Sequence, residues 1–153
     1  MVRIHFTLVF FGLLMDQFTK IFANKSLSFF LPKVIIPKVL SFQLVHNYGA
    51  AYGILQNQRV FLLSVSVMVI FICVVFSRVI ATTKWSKLGL SFLLIGAIGN
   101  FLDRLFLGYV IDFIDIKIFP VFNIADVCID IGICFFILEF VSPYVKPKIN
   151  SKK

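Results

Sequence analysis

Four apolar runs, each about as long as a bilayer is thick, decide what this chain can fold into. They cover residues 4–23, 60–81, 88–108 and 121–141, with 20 to 22 residues apiece. An α-helix rises ~1.5 Å per residue, so about 20 residues cross the hydrocarbon. Lipid offers the backbone no hydrogen bonds, so a spanning segment must satisfy its own, as a helix does. Hydrophobic residues make up 60% of the 153 and charged residues 14%, too apolar a mixture for a soluble domain this small to bury. The expected fold is mainly α and integral to a membrane, a single domain over residues 1–153 with a bundle of four transmembrane helices. The short link at 82–87 makes the second and third helices an antiparallel hairpin. The first run carries Asp16 and Lys20 and is too long for a signal-peptide core, so it is read as a permanent helix.

The net charge of +8 would suggest nucleic acid in a soluble protein. Here the basic residues flank the spans, and no nucleic-acid partner is expected. Arg3, Arg78, Lys84, Lys87, Lys146, Lys148, Lys152 and Lys153 share one side; Lys25, Lys33, Lys38, Arg59 and Lys117 share the other. The excess on the first side places both termini, and a tail over 142–153, in the cytoplasm. The outer segment, 24–59, is long for a plain connection. Leu40, Phe42 and Leu44 alternate with Ser41 and Gln43, the period of a half-buried strand, and Pro32 and Pro37 break the stretch before it. A small, irregular sheet on the membrane surface is expected. Gly49, Ala50, Ala51 and Gly53 surround Tyr52, a run small enough for close backbone approach. Cys73, Cys128 and Cys134 lie in apolar runs, with no metal-type spacing and no base nearby, and read as small hydrophobes.

Ionisable groups in a membrane segment are costly, at least ~2.5–3.5 kcal/mol each at the centre. Asp16 and Lys20 are four apart on the first helix. Asn100, Asp103 and Arg104 share a face of the third, and Asn123, Asp126 and Asp130 a face of the fourth. Asp112 lies just beyond the third helix. In the orientation above, three helices bring polar groups to one level near the outer surface. Five of the seven acids lie between Asp103 and Asp130. Two carboxylates at the edge of an apolar site can share one proton, so that one activates water while the other protonates a carbonyl. There is no HExxH helix for zinc and no serine–histidine arrangement. A serine–lysine pair through Lys20 is conceivable, but Asp16 is its nearer partner. Asp115 and Glu139 read as solvated or interfacial. A proton relay or small transporter is the rival reading, and a scaffold with acids as helix glue is a third. The inward halves of the helices carry no comparable cluster, which counts against transport.

The polar residues fall into blocks: Asp16, Gln17 and Lys20; Asn47 through Gly53; Gly99, Asn100, Asp103 and Arg104, continuing to Asp112, Phe113 and Ile114; then Phe122, Asn123, Ala125 and Asp126. In order and spacing, over nearly the whole chain, they resemble the lipoprotein signal peptidases (signal peptidase II), aspartyl endopeptidases of the bacterial inner membrane. The resemblance implies four transmembrane helices, an extracytoplasmic β-cradle with a short surface helix, and an active site at the outer, periplasmic face. It implies removal of the signal peptide from diacylglyceryl-modified prolipoproteins, just before the lipidated cysteine. The catalytic pair then maps to Asp112 and Asp126. Asn47, Asn100, Arg104 and Asn123 match positions that line the site; for Asn100 and Asn123, binding and structural roles both stay open. Asp16, Lys20 and Asp103 read as structural support. Membrane lipids and the inhibitor globomycin are implied partners, with a monomer, no cofactor and no metal. Two departures stand out: Tyr52 replaces the family's usual phenylalanine, and Asp130 is an acid the pattern does not ask for.

Overall fold

The computed structural model describes residues 5–145. Ile4, the basic residues Arg3, Lys146, Lys148, Lys152 and Lys153, and the expected tail beyond 145 lie outside the described residues. Along the chain come α1 (Phe6–Ser26), β1 (Lys33–Ile36), β2 (Leu40–Asn47), a 3-10 turn (Ala51–Gly53), α2 (Arg59–Val75), α3 (Ser77–Ile80), α4 (Lys84–Phe106), β3 (Val110–Asp115) and α5 (Ile124–Val145).

α4 is the centre of the molecule, packed by α1, α2 and α5. Its buried face includes Leu90, Leu94 and Ile95, with small residues between them. A Cβ on Gly96 would lie 2.3 Å from the Ala125 carbonyl oxygen, and one on Gly132 would lie 2.8 Å from that of Gly89. The axes of α4 and α5 are close because side chains are missing at the seam. Opposite the core, α1 and α2 expose Phe10, Phe11, Phe18, Phe22, Phe61 and Phe71. Among the described residues nothing buries these rings.

Helix ends follow hydrogen-bond geometry rather than hydropathy. α4 starts a turn before the expected residue 88, because Thr83 and Ser86 form a reciprocal capping box. It closes through Leu107 N–H to the Asp103 carbonyl, and Gly108, at φ +88°, turns the chain into β3. The expected second span breaks at Phe76, between α2 and α3, where no proline or glycine signals it. α5 starts at Ile124 rather than 121, since Phe122 pairs back onto Ile114, and it runs on through Val145. By length and composition, α1 and α4 are the two described helices that could cross a membrane; α2 is apolar but shorter. α5 carries Asp126, Asp130 and Glu139.

The sheet is antiparallel, ordered β1-β2-β3. Its third strand comes from beyond α4, not from the 24–59 segment in which the expected sheet lay. The register sets Val45 opposite Asp112 and Asn47 opposite Val110. Strand pairing thus carries Asp112 from a nominal loop to a fixed, buried place beside the helix ends.

Candidate active site

The site is assembled from α1 outward. Lys20 Nζ lies 2.9 Å from Asp16 Oδ2 and 3.1 Å from Asp103 Oδ2, all three side chains being buried. Lys20 also donates to Asn100 Oδ1 at 3.1 Å. Gln17 Nε2 donates to Asp103 Oδ1 at 3.0 Å and Asp16 Oδ2 at 3.1 Å. The remaining carboxylate oxygens hold backbone. Asp16 Oδ1 accepts from Ala125 N–H at 2.9 Å, in the first turn of α5, and Asp103 Oδ2 accepts from Ile111 N–H at 3.1 Å, in β3. One lysine and two aspartates therefore tie three helices and a strand together. An anion suits the unsatisfied N–H groups at the start of α5.

On this frame sit two more carboxylates, joined by asparagines. Asn123 Nδ2 donates to Asp112 Oδ1 at 2.6 Å, and Asn47 Nδ2 to Asp112 Oδ2 at 3.0 Å. Asn100 Nδ2 donates to Asp126 Oδ1 at 2.8 Å. Asn123 N–H donates to Asp126 Oδ2 at 3.2 Å, while Asp126 N–H donates to Asn123 Oδ1 at 3.0 Å. That reciprocal pair is a capping box, with Asn123 as N-cap and Asp126 three residues in. Asn123, fully buried, thus starts α5 and bridges the two acids at once. Burial, and next the charge of Asp126, raise the Asp112 carboxyl to about 7; Asn47, Asn123 and Lys20 oppose the rise.

Both carboxylates open into a cavity of about 720 Å³. Its polar end holds Asn47, Asn100, Arg104, Asp112 and Asp126; away from it the wall is mostly apolar, with Ile116, Phe119, Ile131 and Leu138 among its residues. Arg104 Nη2 donates to the Gly49 carbonyl at 3.0 Å, while its Nε is buried without a partner among the described residues. Gly49 N–H in turn donates to Asn47 Oδ1 at 2.9 Å, so the loop that leads to Tyr52 is held on the site. Tyr52, at φ +59°, lines the cavity from this loop. A non-glycine residue pays roughly 1–2 kcal/mol for that conformation.

All nine residues singled out from sequence fall in this one network. Others were placed differently or missed. Asp115 is not solvated: it is buried, accepts from Ser41 Oγ at 3.1 Å and is bridged by Lys117. Its partner Ser41 is far away in sequence, and only the sheet brings them together. Glu139 is half-buried. Arg59 read as a membrane-flanking charge, but its guanidinium donates to the Arg104 and Leu105 carbonyls at 2.9 and 2.8 Å. It caps the end of α4, as a cation at a helix C-terminus should. No local signal points from Arg59 to that helix end.

Two carboxyls at the polar end of an apolar cavity can, as acid and base, hydrolyse an acyl bond whose flanking segments are apolar. Among the described residues no cluster of His, Cys, Asp and Glu could hold a metal ion. A sequence model of the family described as signal peptidase (SPase) II matches residues 8–142. A lipoprotein signal peptidase of Clostridium novyi is 36% identical over 131 residues, covering 82% of this chain and 88% of its own. One of Clostridium tetani is 36% identical over 140 residues, covering 88% and 90%. A solved bacterial membrane enzyme superposes with a TM-score of 0.87 at 31% identity, over 97% of this chain and 93% of its own.

Proposed function

Since the chain belongs to the signal peptidase II family, and is by function a lipoprotein signal peptidase of the membrane, we propose that it cuts its precursors as an aspartic endopeptidase with Asp112 and Asp126. The observation that carries this is the asparagine-linked pair of acids opening into an apolar cavity. Asp112, raised to about 7, carries the shared proton near neutral pH. Asp126 accepts a proton from water as the water oxygen adds to the scissile carbonyl carbon. Asp112 gives its proton to the carbonyl oxygen. Collapse of the tetrahedral intermediate then breaks the C–N bond: the leaving amine takes the proton held by Asp126, and one hydroxyl of the intermediate returns its proton to Asp112 as the new carboxyl forms. Two carboxyls suffice for this cycle, and no covalent intermediate forms.

Arg104, with one nitrogen unpaired, binds a substrate carbonyl or lipid phosphate. Asn47, Asn100 and Asn123 hold the carboxyls and the peptide backbone beside them. Asp16, Lys20 and Asp103 are structural support. The substrate is a diacylglyceryl-modified prolipoprotein, cut just before its lipidated cysteine, with the apolar wall taking the signal segment and acyl chains.

The whole chain is read as one peptidase domain. Four crossings, made by α1, α2 with α3, α4 and α5, put both termini in the cytoplasm of a bacterial inner membrane and the dyad at the outer face. The exposed rings on α1 and α2 support this, since lipid suits them better than water. The protein works as a monomer and binds globomycin.

Cleavage of a diacylglyceryl-modified prolipoprotein by the purified chain tests the reading. Wild type should cut, while Asp112→Asn and Asp126→Asn, folded by their thermal unfolding, should lose on the order of 10²–10⁴-fold in rate. An active variant would remove that aspartate from the dyad. A folded but inactive wild type would end the peptidase assignment.

A further inference from the structure

α5 presents Val127, Asp130, Ile131, Cys134 and Leu138 to the cavity, at the three- and four-residue spacing of one helix face. Among them only Asp130 is charged. It is exposed to the cavity and makes no hydrogen bond or ion pair with any described residue. The other acids of the helix ends are held by amides, backbone N–H groups or Lys20, and the mechanism above leaves Asp130 unused. An acid in a membrane helix costs at least ~2.5–3.5 kcal/mol unless something satisfies it. Here whatever satisfies it, water or substrate, reaches it through the cavity.

Asp130 follows Asp126 by one helical turn, ~6 Å deeper along the axis. On the strength of the peptidase reading, we propose that Asp130 is a specificity residue: it accepts a hydrogen bond from a donor side chain in the precursor's signal segment, a short way before the scissile bond. The spacing fixes the distance. An extended peptide advances ~3.3 Å per residue, which puts the donor about two residues before the cut. A helical one advances ~1.5 Å, which puts it about four before. The donor is a hydroxyl, amide or amine, standing where the apolar wall otherwise favours an aliphatic side chain. A donor there meets an acceptor that is charged when ionised, and a hydrogen bond to a charged group is among the stronger ones.

The test uses lipidated precursors that carry asparagine or leucine, nearly equal in volume, at the second, third or fourth residue before the cut. The purified full chain and Asp130→Leu are compared by the ratio of kcat/KM for each asparagine–leucine pair. At one of these positions wild type should favour asparagine by about tenfold, and Asp130→Leu should bring the ratio to one or below. Asp130→Asn, which keeps an acceptor, should retain part of the preference. Ratios near one for wild type at all three positions overturn the assignment. So does a variant that slows both precursors of a pair alike, which is what a structural role would do. If wild type cuts neither precursor, the peptidase reading fails and this inference with it; Asp112→Asn, run alongside, separates true cleavage from contaminating proteolysis.

Discussion

Asp112 is 2% exposed, yet both its oxygens accept hydrogen bonds and its carboxyl is raised to about 7. The ordinary value is 3.8, so between these two pH values the folded chain holds a proton that the unfolded chain has lost. This group's contribution to stability is full below about 3.8 and is lost as pH rises through about 7. Asp112→Asn cannot ionise, so its unfolding midpoint should gain on wild type as pH rises through that window and hold steady above it; an offset independent of pH would mean another group titrates. Lys20 makes the opposite case. It is the one lysine between Asp16 and Asp103, and Lys20→Met strands two buried acids, at a cost of about 3–5 kcal/mol. Unfolding in detergent should show that loss, and the further changes Asp16→Asn and Asp103→Asn should recover much of it. Sequence spacing alone paired Asp16 with Lys20, because four residues make one helical turn. It could not give Asp103 its strand partner Ile111, nor Asp115 its partner Ser41, since those contacts exist only once the sheet has formed.

The elements around the dyad are set by contacts at their ends and seams. Gly96 touches the Ala125 carbonyl, and Ala125 is the neighbour of Asp126. Gly96→Ala should therefore push α5 away from α4, costing roughly 1–3 kcal/mol in stability. Because the displaced turn bears Asp126, kcat should fall more than KM rises; a change in KM alone would place the effect on the cavity wall instead. The helices were legible as apolar runs because each carries its hydrogen bonds within itself. β3 was not. Val110–Asp115 is a short, mainly apolar stretch that holds two acids, Asp112 and Asp115, and its strand character depends on β2, which lies far back in the chain. The same non-locality hid Arg59, which leaves the start of α2 to close the end of α4.

At the scale of the whole molecule, the outward faces of α1 and α2 are apolar and the polar groups gather at one end. That division sets the paired acids near one end of the molecule, and the proposed topology makes that end the outer one. It predicts that a single cysteine at Lys38, with Cys73, Cys128 and Cys134 replaced, reacts with a membrane-impermeant maleimide added outside intact cells. One at Lys87 should react only after the membrane is opened. The opposite pattern would turn the dyad to the cytoplasm. Of the four spans read from hydropathy, length and composition single out α1 and α4 among the described residues.

α5 is one rod with two sides that meet at Ile129 and Phe135, which line the cavity and also pack against α4. Ala125, Gly132 and Phe136 face α4 and leave almost no slack, whereas Val127, Ile131, Cys134 and Leu138 face the cavity. Substitutions on the first side shift the cutting atoms; those on the second change only what lies against them. A lineage carrying this helix can thus explore new precursors by drift along one edge while purifying selection holds the other. Asp130, on the exploring edge, is where such a history would leave its mark.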